Sequence, residues 1–159
     1  MTMTLAVTGH RPNKLGGYDT PNPTYDAVRR ALRTRLLELR PTKVLTGMAL
    51  GVDQWVAELC IELQIPFVAV IPFPGQEKAW PRRAQRRYHT LLAQAVDRVI
   101  VSPGPYAPEK MHLRNEWLVE HADELLSVWD GSPGGTSSCR AYALKEGCPI
   151  TDIDPTTLA

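Results

Sequence analysis

Val44-Leu-Thr-Gly-Met-Ala-Leu-Gly-Val-Asp53 runs from a short apolar segment through a glycine-bearing loop into a helical pattern. Val52, Trp55, Val56, Leu59, Cys60 and Leu63 then fall on one stripe, with Glu58 and Glu62 outside it. A strand feeding a loop and a helix is the repeating unit of an α/β sheet. The unit recurs on both sides. Leu5-Ala-Val7, Phe67-Val-Ala-Val-Ile71, Val99-Ile-Val101 and Leu125-Leu-Ser-Val128 are short, continuous and apolar, the pattern of strands buried on both faces. A weaker strand near Ile150 to Ile153 is expected at an edge. Tyr25, Val28, Leu32, Leu36 and Leu39 form another helical stripe, and residues 80–95, 109–122 and 136–146 read as three more helices. Pro41, Pro66 and Gly147-Cys-Pro149 stop helices before the next strand. The expected fold is a single Rossmann-like α/β domain over residues 1–159, a mostly parallel sheet with helices on both faces.

Composition agrees with one domain. A chain of 159 residues fits a single core, and 43% hydrophobic with 22% charged residues excludes a disordered chain. No apolar run reaches the ~18 residues of a membrane span, and the start lacks the pattern of a signal peptide, so the cytoplasm is the expected location. Cys60, Cys139 and Cys148 are odd in number and contain no C-x-x-C pair, which argues against a disulfide framework. No His/Cys cluster supports zinc, and no metal is expected. Net charge is +1, but residues 1–98 carry +6 and residues 99–159 carry −5. Solvated helix faces explain that asymmetry; a basic face or self-association is the other reading.

Right-handed crossovers place every strand's carboxyl end along one edge, where ligands of such sheets bind. Four glycine-bearing loops are expected there: Thr8 to Tyr18, Thr46 to Asp53, Pro72 to Gln76, and Asp130 to Thr136. Glycine lets backbone N–H groups approach a ligand, and a helix N-terminus favours an anion. Tight βα turns are the bland account of the same glycines. G-x-x-x-x-G-K-[ST], G-x-G-x-x-G and G-x-S-x-G are all absent, which removes support for P-loop, nicotinamide-hydride and serine-hydrolase chemistry.

Thr8-Gly-His-Arg, Gly47-Met-Ala-Leu-Gly-Val-Asp53, Pro72-Phe-x-x-Gln76, Arg114-Asn-Glu-Trp117 and Trp129-Asp-Gly-x-x-Gly-Gly-Thr136 together resemble the YpsA-type branch of the SLOG superfamily. That superfamily groups the DNA-processing protein DprA with the LOG phosphoribohydrolases. The resemblance spans nearly the whole chain and implies a nucleotide-binding Rossmann-like domain, often a homodimer. Met111-His-Leu-Arg114-Asn115 is similar to the LOG helix start, and Pro133-Gly-Gly-Thr136 to a shortened second motif. Arg114 is thereby the cation expected near a phosphate or ribose. The catalytic Glu of the LOG pattern falls on Cys139, and a thiol does not do a carboxylate's work.

The candidate ligand residues are Thr8, Gly9, His10 and Arg11 after the first strand, and Gly47, Met48, Gly51 and Asp53 after the second. Pro72 and Gln76 follow the third, Arg114 and Asn115 open a helix, and Asp130, Gly131, Gly134, Gly135 and Thr136 follow the fifth. Several carry a plainer alternative. Asp53 suits a helix cap as well as a ligand, and His10 suits packing. Asp130 suits a turn as well as a ribose contact. Gln76 and Trp80 suit base recognition or the core.

Three functions remain open on these grounds. The first is binding, without a required cofactor, of AMP, ADP-ribose, NAD or a cyclic relative, to sense or sequester it. The second is N-glycosidic hydrolysis with Arg114, Glu116 and Asp130 as catalytic candidates. The third is single-stranded nucleic-acid binding by the Arg82, Arg83, Arg86 and Arg87 face, though the near-zero net charge and the lack of interleaved aromatics favour a solvated or dimer-forming surface there.

Overall fold

The computed structural model describes residues 2–158, and in it strands and helices alternate along the chain. The strands are β1 (Thr4–Gly9), β2 (Lys43–Thr46), β3 (Phe67–Ile71), β4 (Asp97–Ile100), β5 (Glu124–Val128) and β6 (Ile150–Ile153). Between them lie α1 (Pro23–Leu39), α2 (Val52–Leu63), α3 (Arg82–Leu92), α4 (Pro108–Glu120) and α5 (Gly135–Glu146). All strands are parallel, in the order β4-β3-β2-β1-β5-β6, with Leu5 opposite Val44 on one side and Ala6 opposite Leu125 on the other. This is the Rossmann-like sheet that the alternation predicts.

Local chemistry sets the helix ends. The Asn22 side chain accepts the Tyr25 N–H at 2.9 Å, and Pro23 supplies the fixed φ of a first helical residue. α1 closes on Arg40 in the left-handed region, with Pro41 barring continuation. Gly147, at φ 74°, closes α5 without strain.

Alternate strand residues feed two cores. Leu5, Val7, Val44, Phe67, Ala69 and Ile71 pack with Val28, Leu32, Val56, Leu59 and Leu91 of α1, α2 and α3. Ala6, Leu45, Val68, Val70 and Leu125 pack with Leu118, Cys139 and Ala143 of α4 and α5. Helices therefore cover both faces, as parallel strands require. One expectation is corrected: the Val99 run is not buried on both faces. β4 is an edge strand, with Ile100 half exposed, because only β3 flanks it. β6 forms the other edge, as predicted. Among the described residues no helix is long and apolar enough to cross a membrane.

Candidate functional site

From β1 the chain steps outward through β2, β3 and β4, and α4 then carries it back to β5 on the other side of β1. Strand order reverses between β1 and β5, and loops that leave in opposite directions open a crevice there. A cleft of about 420 Å³ lies at this point. Its walls are Thr8, Gly9, His10, Arg11, Asn13 and Lys14 from the end of β1, Ala49 and Asp53 beside α2, and Tyr106, Pro108, Met111, His112, Arg114 and Asn115 of α4 and its leading loop. Gly134, Gly135 and Thr136 at the start of α5 complete it.

The start of α5 is uncapped. Gly134 at the N-cap has no side chain to offer, and the first backbone bond of the helix runs from Ser138 N to Gly134 O. The N–H groups of Gly135, Thr136 and Ser137 have no protein acceptor among the described residues. The helix start that carries these donors, with Gly134, Gly135 and Thr136 in the cleft wall, is suited to an anion through its aligned N–H groups and the positive end of its dipole. A Cβ on Gly135 would meet nothing within 4 Å, and one on Gly134 would meet only Lys14 Nζ at 3.9 Å. Lys14 itself donates to Ser132 Oγ at 2.8 Å and to Pro133 O, tying the β1 loop to the β5 loop.

Arg114 is only 4% exposed. Its Nη1 donates to Gly47 O at 2.8 Å and its Nε to Asn115 Oδ1 at 3.2 Å, while Nη2 has no protein partner among the described residues. Asp53 is buried nearby and accepts the Ala49 N–H at 3.3 Å. Burial pushes the Asp53 carboxyl up, against the pull of Arg114, Arg11 and that N–H. Burial also lowers Arg114, which Asp53 opposes; a guanidinium keeps its proton throughout. The cleft therefore holds Arg11, Lys14 and Arg114 against one carboxylate.

A sequence profile of the YspA SLOG family matches residues 5–158. The chain belongs to the YspA SLOG family. UPF0398 proteins of Bacillus thuringiensis (strain Al Hakam) and Bacillus cereus (strain AH187) are 31% identical over 151 residues, covering 89% of this chain and 82% of theirs. Among solved structures, DNA processing protein A from Streptococcus pneumoniae superposes with a TM-score of 0.69 at 16% identity, over 96% of this chain and 50% of that one. The same protein from Helicobacter pylori, described for its single-stranded DNA binding mode, gives 0.68 at 16% identity, over 96% of this chain and 65% of that one. The molybdenum cofactor carrier protein of Chlamydomonas reinhardtii gives 0.59 at 15% identity, over 96% and 76%. At such identities these structures share the fold.

Within this YspA SLOG chain the predicted site divides. Thr8, Gly9, His10, Arg11, Asp53, Arg114, Asn115, Gly134, Gly135 and Thr136 do meet around the cleft. Gly47, Met48, Gly51, Pro72 and Gln76 do not line it. A Cβ on Gly47 would overlap Arg114 Nη1, and one on Gly51 would stand 2.5 Å from His10 O, so these glycines serve chain-on-chain packing. Gln76 is buried, donating to Gly47 O at 3.1 Å and lying 3.3 Å from the Tyr88 hydroxyl. Trp80 packs edge-on against Tyr88, which gives it to the core.

The catalytic candidates separate likewise. Glu116 borders a different cavity, between α4 and α5. Asp130 and Gly131 do not line the main cleft. Asp130 Oδ1 accepts the Ser132 hydroxyl and backbone N–H, which together with His10 hold its carboxyl down at about 2. His10 Nε2 lies 2.9 Å from Asp130 Oδ1 and 3.0 Å from Asp130 N, and one ring nitrogen cannot serve both. An ionised carboxylate at that distance fits a donating Nε2–H. The pair clamps β1 to β5. Cys139, at the LOG glutamate position, is fully buried and its thiol is pushed up to about 12 by burial. Among the described residues no three His, Cys, Asp or Glu side chains cluster to hold a metal.

Sequence reasoning missed Asn13, Lys14, Ala49, Tyr106, Pro108, Met111 and His112 as cleft walls. Met111 was accessible to it, standing one helical turn from Arg114 on the same face. Tyr106 carried no signal, being a loop residue with no motif around it.

Proposed function

We propose that the chain binds a nucleotide or nucleotide-derived ligand, such as AMP, ADP-ribose, NAD or a cyclic relative, in the cleft between the ends of β1 and β5. The observation that carries this reading is the convergence of an uncapped α5 N-terminus with a buried arginine whose Nη2 has no protein partner among the described residues. Two independently fixed cationic or dipolar groups aimed at one space favour a phosphate, because several N–H donors act together. The volume, about 420 Å³, lies in the small-molecule range. Binding without turnover is favoured over hydrolysis, since Asp53 is buried beside Arg114, Asp130 is engaged by Ser132 and Glu116 faces elsewhere.

Equilibrium titration with AMP, ADP-ribose and NAD tests the proposal. Gly135→Asp is the informative variant: its side chain enters open space and its φ is ordinary, so the fold persists while a carboxylate occupies the anion position. Affinity is expected to fall about tenfold or more, from loss of charge-assisted bonds. Unchanged affinity in Gly135→Asp, or no binding of any of the three, refutes the assignment. Release of free base from AMP would favour the hydrolase, and competition by an oligodeoxynucleotide would favour a strand-binding role like that of the Helicobacter pylori neighbour.

A further inference from the structure

Tyr106 stands in the loop between β4 and α4, 63% exposed yet lining the cleft. Its ring makes a T-shaped contact with Phe73, with centroids 5.8 Å apart and planes at 69°. The loop beneath it is fixed at several points. Ser102 N donates to Pro72 O at 3.0 Å, and Lys110 Nζ donates to the carbonyls of both Pro103 and Pro105. A large, mostly exposed aromatic with one aromatic neighbour thus lines the cleft. Pro108 and Met111, also cleft walls, extend an apolar side, whereas the α5 N-terminus, Arg11 and Lys14 make the other end cationic.

Asn115 adds a directional group. Its Oδ1 accepts Arg114 Nε–H, which fixes the amide, since the flipped form would oppose two donors. Its Nδ2 has no protein partner among the described residues and belongs to a residue that lines the cleft.

We infer that Tyr106 is the stacking platform for the planar ring of a phosphate-bearing ligand, and so a specificity-determining residue of this cleft. The inference rests on the phosphate reading above and extends it to the ligand's other end. Base–aromatic stacking tolerates any base, because every base has a π-face. The T-shaped Phe73 contact takes at most one side of the Tyr106 ring, and with the residue 63% exposed the opposite face is left for it. Asn115 Nδ2 supplies one donor for a ligand acceptor between the two ends.

Titration calorimetry with AMP and ribose 5-phosphate, on the full chain, separates the two ends. The unaltered protein is expected to bind AMP about tenfold or more tightly over ribose 5-phosphate, the range one stacked base supplies. Tyr106→Ala is expected to erase that preference while leaving ribose 5-phosphate affinity unchanged, and Tyr106→Phe to retain it. Tyr106 is exposed, so both variants fold; a melting curve confirms it. Equal affinity for the two ligands, with both lost in Gly135→Asp, overturns the platform and leaves the phosphate site standing. Equal losses for both ligands in Tyr106→Ala also overturn the platform. Failure of both ligands to bind the unaltered protein overturns the platform and the phosphate site together.

Discussion

At Gly47 a single missing Cβ decides where a charge goes. A side chain there would overlap Arg114 Nη1 and stand 2.9 Å from Asp53 Oδ2, so the glycine is what lets a guanidinium lie beneath the β2 loop. Arg114 and Asp53 are both buried and attract each other without direct ion-pair contact, Arg114 being held instead by Gly47 O and Asn115 Oδ1. Arg114→Met is expected to destabilise the fold by about 1.5–3 kcal/mol, the range for hydrogen bonds to a charged group, while adding Asp53→Asn recovers part of the loss. The sign with pH follows from burial. Without Arg114 the Asp53 carboxyl rises further above its unfolded value, so the native state binds the extra proton. The variant is therefore expected to be comparatively stable near pH 4 and to lose stability as pH rises through the native value. Urea unfolding of the single and double variants at pH 5 and pH 7.5 measures both effects; additive losses, or a flat pH response, contradict the coupling.

Elements were more legible in the sequence than their neighbours. The stripe from Val52 to Leu63 coincides with α2, and the Phe67 to Ile71 run is β3. Period and length are local, so the chain states them directly. The burial of β4 is a property of its place at the sheet edge, and three apolar residues do not encode strand order. Glycines show the same divide. Gly9, where a Cβ would lie 2.6 Å from Val52 Cβ, and Gly135, where nothing is near, look alike as letters, yet one is closed by packing and the other is open onto the cleft. α3 is a further case. Its arginine run reads as a solvated or dimer-forming face, with nucleic-acid binding the alternative; the helix shares a core with α1 and α2, across the sheet from α4 and α5, and none of its arginines lines the cleft. Arg87 pairs with Glu58, whereas Arg82, Arg83 and Arg86 are exposed without an acidic partner among the described residues. Replacing those three with alanine is expected to change AMP affinity by about twofold at most at physiological salt, where distant exposed charges are screened. A tenfold loss in calorimetry would bring α3 into the site.

Across the whole molecule, the cleft draws on segments far apart in sequence: the β1 loop, the start of α4 and the start of α5. Lys14 on Ser132 and His10 on Asp130 already tie β1 to β5, so an anion gripped by α5, Arg11 and Arg114 adds a further link between the two halves of the sheet. Such a ligand binds the folded chain alone, because the unfolded chain has neither the aligned N–H groups nor the buried guanidinium. Linkage then fixes the size of the effect. At a ligand concentration of 100 Kd the native state gains about 2.7 kcal/mol. For a domain of this length that corresponds to a rise in Tm of about 5–11 °C. Scanning calorimetry at several AMP concentrations is expected to show this rise growing with the logarithm of concentration. Sodium chloride of matched ionic strength will not reproduce it, because screening acts on all exposed charges and fills no site. In Gly135→Asp, with affinity lower by about tenfold or more, the rise is expected to fall to about half or less, while the unliganded Tm stays within a few degrees, since an added Cβ there meets nothing within 4 Å. An equal rise in the variant would mean that the anion acts elsewhere on the surface, and the cleft would lose its assignment.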